Sequence, residues 1–136
     1  MHTNIERKSA TIQNGYKKLD SRQKKALSEI KGLVIPAIQA IGKSDTQTLG
    51  EILDTAWNFK KQSNKGITTP RISDIGQTAK KHGAIGFKIC GAGGGGFMLF
   101  VIDPNKRESF IKGMELSGLT NWDFSPCYNG LETRIL

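Results

Sequence analysis

Lys88-Ile89-Cys90-Gly91-Ala92-Gly93-Gly94-Gly95-Gly96-Phe97-Met98-Leu99-Phe100 is the stretch that decides the fold. Apolar runs of strand length flank a six-residue segment in which five residues are glycine. The runs extend over 84–90 and 97–102, and two strands joined by so short a loop pair antiparallel. Of the chain's 16 glycines, seven fall within the 14 positions 83–96 and the other nine are spread over 122. Each glycine costs conformational entropy on folding, so the cluster needs a local cause. A two-residue hairpin turn requires one or two glycines, not five in six. A loop without Cβ atoms instead allows close approach: its N–H groups can lie against a phosphate or another loop and form an anion-binding nest.

Two better-known phosphate loops are excluded by context. Gly91, Gly93 and Gly96 satisfy G-x-G-x-x-G. The dinucleotide reading needs a helix after the last glycine, so that the pyrophosphate rests on the helix N-terminus. Here Phe97-Met98-Leu99-Phe100-Val101-Ile102 follows, which is a strand. No Lys-Ser or Lys-Thr pair follows Gly96, so the Walker A pattern fails as well.

Working outward, helical periodicity dominates the N-terminal side. Ile5, Ile12, Tyr16 and Leu19 predict a helix over 6–18. Asp20 or Ser21 caps the next, and Leu27, Ile30, Val34, Ile38 and Ile41 make one apolar stripe over 22–42, kinked at Pro36. Ser44 or Asp45 caps a third helix that carries Leu49, Ile52, Leu53, Ala56 and Phe59 inward and ends near Gly66. Thr69, Pro70 and Gly83 mark the cap, first position and end of a fourth, with Ile72, Ile75 and Ala79 inward. Asp103-Pro104 starts a helix over 104–117 that Gly118 ends, and a last strand is expected at 131–136. The order predicts an α+β domain: a split antiparallel sheet around the glycine loop, with several helices packed on it. Three visible strands make a small sheet, with an edge open for another chain.

The chain has 136 residues, enough for one domain, and its longest unbroken apolar run, Phe97 to Ile102, is far too short for a membrane helix. The first twenty residues contain no apolar signal region. Two cysteines, Cys90 and Cys127, are too few for a disulfide scaffold, which points to a reduced, cytoplasmic setting. The net charge of +8 is concentrated in residues 1–65, with 12 basic against 6 acidic residues. Lys17, Lys18, Arg22, Lys24, Lys25 and Lys31 leave nucleic-acid association through the basic helices as a reading. They interleave with Leu19, Leu27 and Ile30 as on any solvated helix face, and no aromatic platform accompanies them, so that reading is the weakest.

The glycine stretch resembles the third motif of the GHMP kinases, the superfamily of galactokinase, homoserine kinase, mevalonate kinase and phosphomevalonate kinase. The resemblance is closest to the branch of sugar kinases that includes the D-glycero-D-manno-heptose 7-phosphate kinases. Thr3-Asn4-Ile5-Glu6-Arg7, Leu49-Gly50-Glu51-Ile52-Leu53, Trp57, Lys60-Lys61, Gly66-Ile67-Thr68-Thr69-Pro70-Arg71-Ile72 and Ala79-Lys80-Lys81-His82-Gly83-Ala84 extend it over essentially the whole chain. The resemblance implies a ferredoxin-like C-terminal domain, residues 1–136. It also implies that Gly91, Ala92, Gly93, Gly94, Gly95 and Gly96 form a nucleotide- and substrate-binding loop in a cleft shared with an N-terminal domain. No P-x-G-x-G-L-G-S-S-A-type segment is present, and nothing corresponds to the N-terminal half, which in such kinases carries the catalytic aspartate. The expectation is therefore part of a phosphotransferase, inactive alone, with no catalytic residue and no metal ligands in this chain. ATP and Mg²⁺ would serve the complete enzyme and neither is expected on this chain alone; the other partners expected are a phosphorylated sugar and a second copy of the chain at the open sheet edge. The alternative is a non-catalytic module binding a small anion or other small molecule.

Lys88, Trp57 and Lys60 are weaker site candidates. Lys88 either meets a phosphate or sits on a solvated sheet face. Trp57 and Lys60 share a helical face, with core and surface positions as the bland readings. His82 suits the end of a helix dipole, Asp103 reads as a cap, and Cys90 as a buried, inert thiol. Asp74 and Glu108 have no spaced partner for acid–base work, and no cluster has metal-ligand spacing.

Overall fold

A computed structural model describes residues 1–6, 12, 14–16, 19–64, 66–125 and 130. The helix expected over 6–18 lies mostly outside them; what is described there includes a 3₁₀ turn, Asn14–Tyr16, and the buried Ile12. Helix α1, Ser21–Gly32, opens on a capping box: the Asp20 carboxylate accepts from Gln23 N–H, and the Gln23 side chain accepts from Asp20 N–H. The chain breaks at Leu33 and resumes as α2, Val34–Gly42. Pro36 is thus a break rather than a kink. It has no N–H to give the carbonyl four residues back, which is Gly32, the last residue of α1.

Asp45, not Ser44, caps α3, Thr46–Ser63, accepting from Thr48 N–H at 2.9 Å. The helix stops three residues before Gly66, and its fully buried positions are Gly50, Trp57 and Ser63; Leu49, Ile52, Leu53, Ala56 and Phe59 are half-buried. Thr69 and Pro70 open α4, Pro70–Lys81, which buries Ile72, Ile75, Gly76 and Ala79 as its periodicity requires. Strands β1, Ala84–Ile89, and β2, Met98–Ile102, pair antiparallel with Phe87 opposite Phe100 and Ile89 opposite Met98. Asp103 caps a 3₁₀ turn, Pro104–Lys106, which leads into α5, Arg107–Leu116. The expected strand at 131–136, like Cys127, falls outside the described residues.

Ile89 and Met98 of the sheet pack with Ile72, Ile75, Phe110 and Met114 of α4 and α5 in one core, against which Phe87, Phe100 and Ile102 also lie. Helix α3 approaches β1 so closely that no side chain fits between them at Gly50 and Gly86. A Cβ on Gly50 would lie 2.5 Å from Ile85 Cγ2.

The sheet edge that the sequence leaves open is occupied. Met1–Thr3 runs beside β2: Met98 N–H donates to Met1 C=O and Thr3 N–H to Gly96 C=O, each at 2.9 Å. His2 in turn pairs with Thr120 on its other side. A segment too short to show a period of two in the sequence therefore extends the sheet. The outer edge of β1 is closed differently. Phe87 N–H donates to Asp54 Oδ1 of α3 at 2.8 Å, Lys80 of α4 donates to Ile85 C=O, and Lys80 and Asp54 form an ion pair. An edge strand whose backbone groups are covered by side chains from neighbouring helices is blocked from pairing with another chain. Asp54→Ala leaves the Phe87 N–H without its acceptor and is expected to cost about 1–3 kcal/mol. A lower urea midpoint at unchanged m-value checks this; an unchanged midpoint refutes it.

Candidate functional site

The glycine loop is held at both ends and from both sides. Cys90 N–H donates to Phe97 C=O at 2.9 Å, closing its base. Gly94 N–H donates to Ile67 C=O at 2.7 Å, and Gly96 N–H to Ile5 C=O at 3.1 Å. Gly96 C=O accepts from both the N–H and the hydroxyl of Thr3, at 2.9 and 2.8 Å. These bonds bring the 66–69 turn and the N-terminal segment against the loop. At Gly93, with φ +105°, a Cβ would meet Ile67 O at 3.1 Å; at Gly95 it would meet Ile5 O at 2.5 Å. The two glycines are needed because another backbone lies where their side chains would be.

This anchoring sorts the loop's donors. Gly94 and Gly96 spend their N–H groups on the protein. Among the described residues, no backbone acceptor takes the N–H groups of Gly91, Ala92, Gly93 and Gly95. Those four residues, with Cys90, Gly96, His2, Ile5, Glu6 and Phe97, line an open groove of about 830 Å³. Gly94, buried against Ile67, is absent from its wall.

Lys60, a weaker site candidate with a surface charge as its bland reading, reaches from the last turn of α3 and donates its ammonium to Gly91 C=O, a tether between helix and loop. Partial burial holds its pKa below the ordinary lysine value; the like charge of Lys88 adds to this, and Cys90 partly offsets it. Lys88 pairs opposite Leu99, on the sheet face away from Ile89 and Met98, and does not line the groove. Trp57 is core, 4% exposed, with Lys61 Nζ 6.0 Å from its ring centroid. Cys90 is a free, exposed thiol, because β1 ends at Ile89 and the next residue already belongs to the loop. His82 follows α4 and packs over Gly113 of α5, where a Cβ would lie 2.5 Å from its Nδ1.

Sequence reasoning missed His2, Ile5, Glu6 and Ile67 as neighbours of the loop. The signal for Ile67 is faint: Gly66-Ile67-Thr68-Thr69-Pro70 stands out as part of the family resemblance and, at Thr69-Pro70, as a helix start, but not as a support of the loop.

A family model described as GHMP kinases C terminal matches residues 37–117. The chain belongs to the GHMP kinases. The D-glycero-alpha-D-manno-heptose 7-phosphate kinase of Campylobacter jejuni is 33% identical over 133 residues, covering 96% of this chain and 39% of that enzyme. The mevalonate kinase of Pyrococcus furiosus is 28% identical over 118 residues, 76% of this chain and 35% of the enzyme. A crystal structure of L. major mevalonate kinase in complex with R-mevalonate superposes with a TM-score of 0.69 at 24% identity, over 85% of this chain and 36% of that one. That likeness carries the fold, an α+β GHMP C-terminal domain. The chain spans less than two fifths of each of these three kinases.

Proposed function

We propose that residues 1–136 form the C-terminal domain of an ATP-dependent sugar-phosphate kinase. Its Gly91–Gly96 loop forms one wall of the cleft between ATP and acceptor. The observation that carries this is the sorting of the loop's N–H groups: two hold the loop in shape, and the four with no backbone acceptor among the described residues belong to residues that line the groove. Backbone donors fixed in advance stabilise phosphate charge without reorganising during transfer. Glu6 and His2 on the same wall suit the hydroxyls of a sugar. Heptose phosphate as the acceptor follows from the Campylobacter jejuni relative, which is named for it.

The groove fits part of this task. Phosphoryl transfer also needs a metal ion and a group that orients the nucleophile. Among the described residues no three His, Cys, Asp or Glu side chains cluster to hold a metal. In this reading the ligands of Mg²⁺ come from ATP itself and from an N-terminal half. The chain alone is therefore expected to form no ADP above a no-protein control from ATP, Mg²⁺ and heptose 7-phosphate; turnover would overturn this. Amide chemical shifts during titration with ATP test the loop. Movement of Gly91, Ala92, Gly93 and Gly95 ahead of Gly94 and Gly96 supports it, and shifts elsewhere refute it. Equal response to inorganic pyrophosphate, with no effect of the sugar phosphate, would favour a simple anion-binding module.

A further inference from the structure

Phe97 is an aromatic ring left partly open at the wall of the groove. It follows Gly96 directly, lines the groove and is 42% exposed. Two rings brace it. His2 meets it with 4.9 Å between ring centroids and 61° between planes, and Trp122 with 5.5 Å and 87°. Trp122 is itself 59% exposed. His2 is held in turn by Asn4. Its Nδ1 lies 3.0 Å from Asn4 Oδ1 and 3.3 Å from Asn4 N, which leaves Nε2, bonded to no described residue, for a ligand. Asn4 takes the left-handed conformation, φ +55°, which asparagine tolerates better than most residues, and its side-chain amide donates to Gly118 C=O at 3.0 Å. Three adjacent rings, partly open and fixed edge to face, make a platform rather than a scattered surface residue.

We infer that Phe97 is the platform on which the ring of a sugar acceptor stacks, and the residue that separates a cyclic acceptor from an acyclic one. The sugar-kinase reading of the groove, on which this rests, thereby gains a specificity residue. Three features select a sugar. First, the negative face of an aromatic ring attracts the weakly positive C–H groups that a sugar ring presents on one side. Second, the hydroxyls around such a ring need polar partners beside the platform, and His2 and Glu6 line the same groove. Third, the rings that touch Phe97 stand at steep angles to it, so the described residues offer a single face and no parallel pair to sandwich a flat purine. Gly91, Ala92, Gly93 and Gly95 line this groove too, so a sugar on Phe97 lies beside the wall assigned to phosphate. An open-chain acceptor such as mevalonate has no ring face to set on Phe97.

The chain has two tryptophans, the exposed Trp122 and the buried Trp57, so their indole N–H signals separate the platform from the core. Titrating residues 1–136 with heptose 7-phosphate is expected to shift the Trp122 indole and the His2 and Phe97 amides and to leave the Trp57 indole in place. Mevalonate, adenosine and inorganic phosphate at the same concentrations leave the Trp122 indole unmoved. Phe97→Leu removes the ring face while residue 97 C=O still accepts from Cys90 N–H, so the thermal melt is unchanged. Its heptose 7-phosphate titration weakens about fivefold, the scale of one aromatic contact. Phe97→Tyr keeps both the face and the affinity, which separates the platform from a merely structural role. An unmoved Trp122 indole, an equal response to mevalonate, adenosine or inorganic phosphate, or undiminished binding by Phe97→Leu overturns the assignment. The kinase reading is read from other signals: ATP-induced shifts at Gly91, Ala92, Gly93 and Gly95, unchanged in Phe97→Leu. Those shifts without any sugar response would remove the platform and leave the kinase reading standing.

Discussion

Gly86→Val is expected to lower the stability of the domain by about 3 kcal/mol or more, enough to leave a marginal fold largely unfolded. A Cβ on Gly86 would lie 2.7 Å from Gly50 Cα, and closer still to the Gly50 carbonyl. Both obstacles are backbone, so no side-chain rotation relieves the clash. The only escape is to move α3 off β1. That movement would pull Asp54 from the Phe87 N–H and draw the buried Trp57 from the core. The control lies in the same chain. Gly32 ends α1 with nothing within 4 Å of a Cβ, so Gly32→Ala is expected to be neutral or stabilising by up to about 1 kcal/mol. Paired urea titrations decide it: equal midpoints for Gly86→Val and the parent chain would show that α3 does not sit as described.

Lys60→Met is expected to separate stability from binding. Burial and the Lys88 charge lower the Lys60 pKa in the folded state below its unfolded value, so the protonated form is disfavoured by folding. The sign follows by linkage. At neutral pH both states are protonated and the folded state carries the full cost. As pH rises from the lowered folded pKa towards 10.5, the folded state releases its proton first, the unfolded state binds more protons, and stability increases. Replacing Lys60 with the apolar, similarly long Met removes this cost, so stability at neutral pH should hold or rise and its alkaline increase should flatten. The same change cuts the tether to Gly91 C=O. Loss of one charge-assisted bond to the loop is worth about a tenfold weakening of ATP-induced shifts at Gly91–Gly93. Lys60→Arg should recover much of the binding. A variant that is less stable at neutral pH but binds ATP normally would make Lys60 a structural residue only.

Where the sequence was legible, the cause is local. Asp20 with Gln23, Asp45 with Thr48, Thr69 with Ile72 and Asp103 with Asn105 are caps whose partners lie two or three residues away, and each forms. The strands around the glycine loop, and the loop itself, follow from composition and period over about twenty residues. The errors share a different cause. Lys60 stands in the sequence only as a weaker site candidate or a surface charge, because its acceptor is Gly91, 31 residues on. The β2 edge was read as open although Thr3 and Gly96, 93 residues apart, close it. The apolar stripe from Leu27 to Ile41 reads in the sequence as one helix kinked at Pro36. In the structure α2 turns its Ala40 to α3 and leaves its isoleucines outside, because Pro36 ends α1 at Gly32 and the chain resumes as a separate helix.

The sequence by itself determined the caps, the helix from Pro70, the two strands and the glycine loop between them, since caps, hydrophobic periods and glycine clustering act over a few residues and are written in order along the chain; the family came from the resemblance of its motifs. Only the tertiary structure decided which loop N–H groups remain open, which lysine holds the loop, and which apolar face lacks a cover. Those depend on which distant backbone and side-chain groups the packing brings within hydrogen-bond reach, and no local pattern encodes that distance.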